Sequence, residues 1–182
     1  MIRIRTTICR ALALTAVYSL SACSDDGLTP VADDLMMNED SQPIVVEQVY
    51  EAPASEVWSA ITDKTKMPQW FFEPIADFEP RVGFETRFTV DLEDASYEHL
   101  WRIVDVVPEQ RIVYEWRYGG LPGNSTVTWE LSPAPPGTKL KLTHVVHESF
   151  PDDDPAFTRE AGVAGWQYFI QESLKAYLDG QD

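Results

Sequence analysis

Cysteine is almost absent from this sequence. The chain of 182 residues contains two cysteines, Cys9 and Cys23, and both lie near the amino terminus. The chain beyond Cys23 therefore has no thiol and can form no disulfide. Its stability must come from a packed core, and thiol catalysis is excluded for that part of the chain.

Basic residues are also scarce. The chain has 14 Lys and Arg against 30 Asp and Glu, a net charge of −16. Residues 1–22 hold three of the arginines and no acidic residue, so the chain without them carries −19. A surface this acidic repels phosphate backbones. We therefore exclude nucleic acid as a partner.

No apolar run is long enough to span a bilayer. The apolar run at residues 11–20 covers ten residues, whereas a spanning helix needs about 20. It follows Arg3, Arg5 and Arg10, and this combination is typical of a bacterial export signal.

The residues that end this signal, Leu-Ser-Ala-Cys at 20–23, resemble the lipobox of bacterial lipoproteins. In those proteins the cysteine is acylated on its sulfur and becomes the first mature residue. The alternatives are an ordinary signal peptide with a chance cysteine, or a buried helix. We expect residues 1–22 to be removed and Cys23 to anchor the protein to a membrane of the bacterial cell envelope. Ser24 favours the outer membrane if the host is Gram-negative.

The chain after Cys23 divides into a linker and one domain. Residues 24–43 contain six acidic residues and no Lys or Arg. Such a segment cannot bury enough apolar surface to offset the entropy of ordering, so we expect 23–43 to be a disordered linker. Residues 44–182 have the length of a single domain.

The pattern of residues 44–182 predicts an α+β fold. We expect two short helices after the first strand, one capped by Ser55 and one at residues 66–72. A long helix from Pro155 to Leu178, capped by Asp154, ends the domain. The predicted strands are 44–52, 84–91, 97–107, 111–118, 124–132 and 138–148.

The strands are apolar on one face only. In the strand at 111–118, for example, Tyr114 and Trp116 alternate with Glu115 and Arg117. One face of the sheet must therefore be covered, and the long helix is the element that can cover it. The apolar side of that helix presses either on a solid core or on a cavity; its members are Val163, Trp166, Ile170, Leu174, Tyr177 and Leu178.

Six segments between about Val45 and Leu178 together resemble a known family. They are VYEAPASEVWSAITD, RVGFETRF, VPEQRIVYEW, STVTWEL, GTKLKLTH and GWQYFIQESLKAYL, in that order. They resemble the activator of heat-shock-protein-90 ATPase homologue family, within the START-related, birch-pollen-allergen-like superfamily (SRPBCC). One departure is Gly83-Phe84, where the family commonly has a glycine pair. The resemblance implies a helix-grip fold, in which a curved antiparallel sheet wraps around the C-terminal helix and leaves a hydrophobic cavity between them.

The first functional hypothesis is a non-catalytic carrier or sensor of a hydrophobic or amphipathic small molecule or lipid. Pockets of this type are mostly apolar with a few placed polar groups. His144 or His99 would supply the polar contact. Core packing is the alternative role for the aromatic residues. The predicted cavity residues are Phe88, Trp101, Tyr114, Trp116, Trp129, His144, Val163, Trp166 and Ile170.

Two other functional classes remain open. The same cavity could belong to a cyclase-like or hydrolase-like enzyme, with His144 as its base, although a buried and hydrogen-bonded core histidine explains the same residue. The protein could also be an interaction module of the cell envelope that uses its acidic surface. Export would separate the chain from cytosolic chaperones and ATP, so a co-chaperone role is not expected.

Metal and cofactor motifs are absent from the sequence. His144 and His147 are three residues apart on a predicted strand, so they point to opposite faces and cannot share an ion. The acidic residues at 151–155 are typical of a turn and a helix cap. The chain has no glycine-rich phosphate loop, paired-carboxylate motif or serine elbow. We expect no metal and no cofactor, and nothing in the sequence indicates an oligomeric state.

Overall fold

The computed structural model describes residues 42–92 and 95–180. Cys23, the signal segment 1–22 and the linker up to residue 41 lie outside the described residues, so the predictions made for them stay predictions. None of the helices in the described ranges is both long enough and apolar enough to cross a membrane.

Six antiparallel strands form one curved sheet, which confirms the predicted α+β class. Its order is β1-β6-β5-β4-β3-β2, so the first strand pairs with the last and the other five form a meander. The register places Trp101 opposite Trp116 and Tyr114 opposite Val127, which sets large rings side by side on one face. The strands are β1 (Ile44–Tyr50), β2 (Glu85–Asp91), β3 (Ser96–Val107), β4 (Arg111–Tyr118), β5 (Asn124–Ala134) and β6 (Gly137–Glu148).

Two short helical segments follow β1, as predicted. They are α1 (Ala54–Thr62) and a 3-10 turn (Met67–Gln69). The prediction that Ser55 caps α1 is wrong. Pro53 occupies the cap position with an extended backbone (φ −67°, ψ 157°), and no side chain caps the helix. Because Pro53 starts the helix at the next residue, Ser55 already lies in the first turn.

The C-terminal helix consists of three consecutive segments that span residues 159–179. These are α2 (Arg159–Gln167), a π-helical segment (Tyr168–Ser173) and α3 (Leu174–Asp179). The predicted start at Pro155 is wrong, because Pro155–Phe157 forms a separate 3-10 turn capped by Asp154. Thr158 then takes an extended backbone, and its side chain accepts from the N–H of Ala161. Thr158 is thus the cap that begins the long helix.

The core lies between the sheet and the C-terminal helix. Ile170 and Leu174 are completely buried on the helix side, and Ile112 is completely buried on the sheet side. The hydroxyl of Tyr50 donates to the carbonyl oxygen of Ile170 at 2.7 Å, which ties β1 to the π-helical segment. Ser173 ends that segment, and its hydroxyl donates to the carbonyl oxygen of Trp70 at 2.5 Å. The C-terminal half of the helix is therefore fixed directly on packed elements.

Candidate functional site

A cavity of about 690 Å³ lies at the other end of the C-terminal helix, between α2 and the ends of β4 and β6. The segment at residues 149–158 closes its far side. This volume falls within the range of small-molecule sites, about 300–1,000 Å³. Aromatic rings form most of the inner wall, which consists of Phe72, Trp116, Tyr118, His144, Trp166 and Phe169.

The opening of the cavity is polar. Gln42, Ser149, Asp152 and Glu160 line it and are exposed to solvent. Arg159 also lines it, and its guanidinium donates to the carbonyl oxygen of Gln42 at 2.5 Å. This bond ties the start of α2 to the residues that precede β1. The cavity therefore has an apolar interior and a polar rim, the arrangement that an amphipathic molecule requires.

An aromatic cluster holds the closing segment against the sheet. Phe150 and Phe157 stack on each other at 5.3 Å between ring centroids, and both lie edge-on to Tyr118. Gly123 leaves room for this packing, because a Cβ there would lie 2.5 Å from the ring of Phe150. The hydroxyl of Tyr97 donates to Asp154 at 2.7 Å.

His144 is the polar side chain held most specifically at the cavity wall. The indole N–H of Trp166 donates to its Nδ1 at 3.0 Å. Because an indole nitrogen can only donate, Nδ1 carries a lone pair, and the neutral ring holds its proton on Nε2. Nε2 is shielded from solvent and has no hydrogen-bond partner among the described residues. Burial, with a smaller contribution from His147, lowers the pKa of His144 to about 4, so the ring is neutral at pH 7.

Three more buried nitrogen atoms have no partner within the described ranges: Nδ1 of His99 and Nε1 of Trp101 and Trp116. The Trp116 ring centroid lies 5.2 Å from that of His99, 5.0 Å from Trp101 and 6.2 Å from His144. We call these four residues the nitrogen cluster. Most buried polar groups in proteins are hydrogen-bonded, so four orphans in one cluster are unusual.

The indole N–H groups of two other core tryptophans have hydrogen-bond partners. Trp70 donates to the carbonyl oxygen of Ala60, and Trp129 donates to the hydroxyl of Tyr114 at 2.8 Å. The Trp116 N–H lies near the hydroxyl of Tyr118 and partly offsets the rise in the pKa of Tyr118 that burial causes. Its geometry is outside that of a hydrogen bond. The orphaned groups therefore form one cluster around Trp116, which itself lines the cavity.

The structure brings three of the nine predicted cavity residues to the cavity: Trp116, His144 and Trp166. Val163 is partly buried against the core and does not line the cavity. The remaining five are buried in the packed core, away from the cavity wall: Phe88, Trp101, Tyr114, Trp129 and Ile170. The physical reason is that the helix packs directly on the sheet at Ile170, whereas the open space lies beside α2, at the ends of β4 and β6. The assignment of a ligand to any of these residues stays a prediction.

Sequence reasoning missed half of the inner wall. Phe72 follows the 3-10 turn, and Phe169 lies one residue before the predicted Ile170. Phe150 and Phe157 flank the acidic segment, for which the sequence predicts a turn and a helix cap. An aromatic residue on each side of a polar turn was the available signal that this segment packs against the sheet.

No metal site is visible in the described ranges. No three His, Cys, Asp or Glu side chains of residues 42–92 and 95–180 are arranged to hold an ion. His147 lies on the outer face of β6, where its ring bonds to the hydroxyl of Thr126 at 2.7 Å. It is thus separated from His144 by the sheet, as the strand spacing predicted.

The comparisons with known proteins agree with this architecture. The family described as Activator of Hsp90 ATPase homolog 1-like protein matches residues 51–179. The chain belongs to that family. None of the curated proteins compared with it matches.

Solved structures share the helix-grip fold. Protein CV1439 from Chromobacterium violaceum is 25% identical with a TM-score of 0.63, and the match covers 75% of this chain and 96% of that one. Protein MLL2253 from Mesorhizobium loti is 26% identical with a TM-score of 0.59, over 78% and 99% of the two chains. CalU16 from Micromonospora echinospora is 28% identical with a TM-score of 0.54, over 76% and 77%. The fold is one that suits the binding of a hydrophobic ligand.

Proposed function

We propose that this protein binds a hydrophobic or amphipathic small molecule, or a lipid, as a non-catalytic carrier or sensor. The observation that carries the proposal is the cavity of about 690 Å³, with aromatic inner walls and a polar rim. An apolar body would be buried among Phe72, Trp166 and Phe169, and a polar end would face the rim at Arg159 and Glu160. Burying apolar surface supplies the affinity, at about 25 cal/mol per Å².

The hydrogen bonding of His144 favours binding over catalysis. A general base needs a lone pair aimed at the proton that it removes. The lone pair of His144 is on Nδ1, where it accepts from Trp166, and Nε2 holds the proton. His144 can therefore donate a hydrogen bond to a ligand, but it is poorly placed to act as the base that the enzyme hypothesis requires.

The cavity can be filled without disturbing the core. Gly165 lines it, and a Cβ added there would meet no atom within 4 Å. In Gly165→Leu the new side chain would occupy the cavity. Ala164→Leu is the matched control, because the neighbouring Ala164 is exposed and lies off the cavity wall.

The test uses Nile red, an uncharged fluorophore that brightens in apolar surroundings, with residues 24–182, which keep Gln42 at the cavity opening. We expect saturable binding to the wild type and to Ala164→Leu, and binding at least about tenfold weaker to Gly165→Leu. Equal binding by all three proteins would mean that the dye binds outside the cavity. No binding by the wild type would favour the interaction-module alternative.

We also propose that the protein is a lipoprotein of the bacterial cell envelope, anchored through Cys23. The lipobox-like residues 20–23 and the short apolar run before them support this proposal. Cys23→Ser should lose incorporation of radiolabelled palmitate and leave the membrane fraction. Cys9→Ser is the control and should keep both, because Cys9 is removed with the signal. Labelling of Cys23→Ser at the wild-type level would exclude the anchor.

A further inference from the structure

The hydrogen-bonding capacity of the nitrogen cluster is almost entirely that of a donor. The indole N–H groups of Trp101 and Trp116 can only donate, and Nε2 of His144 donates because Nδ1 accepts from Trp166. Only Nδ1 of His99 is free to take either role. A ligand that satisfies this cluster must bring hydrogen-bond acceptors.

Phe72 lies beside the cluster at the cavity wall: Trp116 and His144 also line the cavity, whereas His99 and Trp101 lie behind the wall. The ring of Phe72 lines the cavity wall and lies 4.9 Å from the ring of His99, 5.9 Å from Trp116 and 6.3 Å from Trp101. Phe169 packs on its other side at 5.0 Å. Phe72 is only partly buried and borders the open space of the cavity, and the recognition proposed below requires its ring to turn into that space. Such a rotation would expose nitrogen atoms that are shielded in the structure.

We propose that the cavity recognises an uncharged, ring-containing ligand through a carbonyl oxygen, which accepts from the N–H groups of Trp116 and His144 once Phe72 turns aside. This inference rests on the proposed binding function and specifies the ligand class of the same cavity. It explains why two donors at the cavity wall lack partners while Trp129, deeper in the core, has one.

The absence of a buried charge among the described residues favours a ligand carbonyl over a ligand carboxylate. No Lys, Arg, Asp or Glu is among the buried residues of the described ranges, and the cavity's arginine, Arg159, lies at the rim and bonds to backbone carbonyls. A carboxylate beside Trp116 would lose its hydration without gaining a counter-charge, which is strongly unfavourable. A carbonyl oxygen loses little hydration and gains two donors. The surrounding rings favour a flat aromatic body, through stacked and edge-on contacts.

Fluorenone and fluorene test the inference, because they have the same three-ring shape. Fluorenone has a carbonyl group where fluorene has a CH2 group. Partitioning from water favours fluorene, the less polar of the two. We expect the opposite order, with fluorenone bound at least about tenfold more tightly, since fluorene leaves the donors unpaired. The carbonyl stretch of bound, carbon-13-labelled fluorenone should shift to lower wavenumber than in hexane.

Trp116→Phe removes one donor and keeps an aromatic ring. It should lower the preference for fluorenone by at least about fivefold and reduce the infrared shift. Trp58→Phe is the matched control, because Trp58 lies on α1 away from the cavity, and it should keep the wild-type preference. The wild-type measurements need no variant, so they decide the question even if Trp116→Phe does not fold.

The outcomes separate the two proposals. If Nile red binds but fluorene binds as tightly as fluorenone, or the carbonyl stretch stays at its hexane value, the carbonyl inference is wrong and the binding function stands. If Trp116→Phe and Trp58→Phe change the preference equally, Trp116 is not the donor and the inference is also wrong. If neither Nile red nor fluorenone binds, both proposals are wrong.

Discussion

Trp166 and His144 form a hydrogen bond across the edge of the cavity, with the indole N–H donating to Nδ1 at 3.0 Å. The bond joins α2 to β6, and it also determines which nitrogen of His144 holds the proton. The helix that covers the cavity thus sets the chemistry of the cavity wall. A change on the helix should be detectable at His144.

Trp166→Phe should therefore allow the proton of the neutral His144 ring to occupy either nitrogen. The variant keeps an aromatic ring but leaves Nδ1 without its donor, at a cost of about 1–3 kcal/mol in the free energy of unfolding. Nitrogen-15 NMR of the imidazole should show unprotonated Nδ1 in the wild type and a mixture of tautomers in the variant. The exposed ring of His147 is the internal reference. If His144 stayed in one tautomer, the Trp166 bond would not be what controls it.

The sequence predicted the fold well and the cavity in part. Alternation in β4 and β5 placed Tyr114, Trp116 and Trp129 on one face correctly, because side chains in a strand alternate with a fixed period of two. Whether a ring on that face meets a cavity or another ring depends on how close the helix lies. The indole N–H of Trp129 donates to the hydroxyl of Tyr114 inside the core, whereas Trp116 lines the cavity wall. That difference depends on the tertiary packing of the helix and leaves no pattern in the local sequence.

The closing segment shows the same limit. Asp154 is a cap, as predicted, but it caps the turn Pro155–Phe157 instead of the long helix. Thr158 caps the helix. Both residues are good caps, so local propensity could not choose between them. The aromatic contacts of Phe157 with Tyr118 and Tyr97, which are distant in sequence, hold the turn in place.

Gly165→Ala should stabilise the protein. Glycine in a helix interior costs about 0.5–1 kcal/mol relative to alanine, and a Cβ at Gly165 meets nothing within 4 Å. Gly137→Ala should do the reverse, because its Cβ would clash with the carbonyl oxygen of Tyr50. Urea unfolding of the two variants should move the midpoint in opposite directions. A loss of stability in Gly165→Ala would show that α2 has no room on its cavity side.

Leu174→Ala should cost about 2–5 kcal/mol in the free energy of unfolding, the usual range for a buried leucine. Leu174 is completely buried at the start of α3, away from the cavity. Lys175→Ala is the matched control on the exposed side of the same turn. It removes only an ion pair with Asp179, so it should cost a few tenths of a kcal/mol. Similar losses in both variants would mean that α3 is not packed on the core.

His99 should make the protein less stable in mild acid. Its ring is 4% exposed and stacks on Phe88 at 4.9 Å. Burial lowers its pKa from 6.5 to about 3. Between these two values the unfolded chain binds a proton that the folded chain does not, so the free energy of unfolding falls as the pH falls. One such group contributes up to about 1.4 kcal/mol per pH unit. His144, with its pKa lowered to about 4, adds to the same trend.

His99→Phe isolates this effect, because phenylalanine suits the aromatic surroundings and cannot titrate. Relative to the wild type, the variant should gain up to about 2 kcal/mol in unfolding free energy between about pH 7 and about pH 5. Carboxylates titrate in both proteins and cancel in the difference. The remaining slope in the variant should come from His144 and from the carboxylates. His147→Gln is the control and should follow the wild type, because His147 is exposed on the outer face of β6. If His99→Phe showed the wild-type pH dependence, His99 would have to be protonated or solvated inside the folded domain, which would contradict a buried, neutral ring.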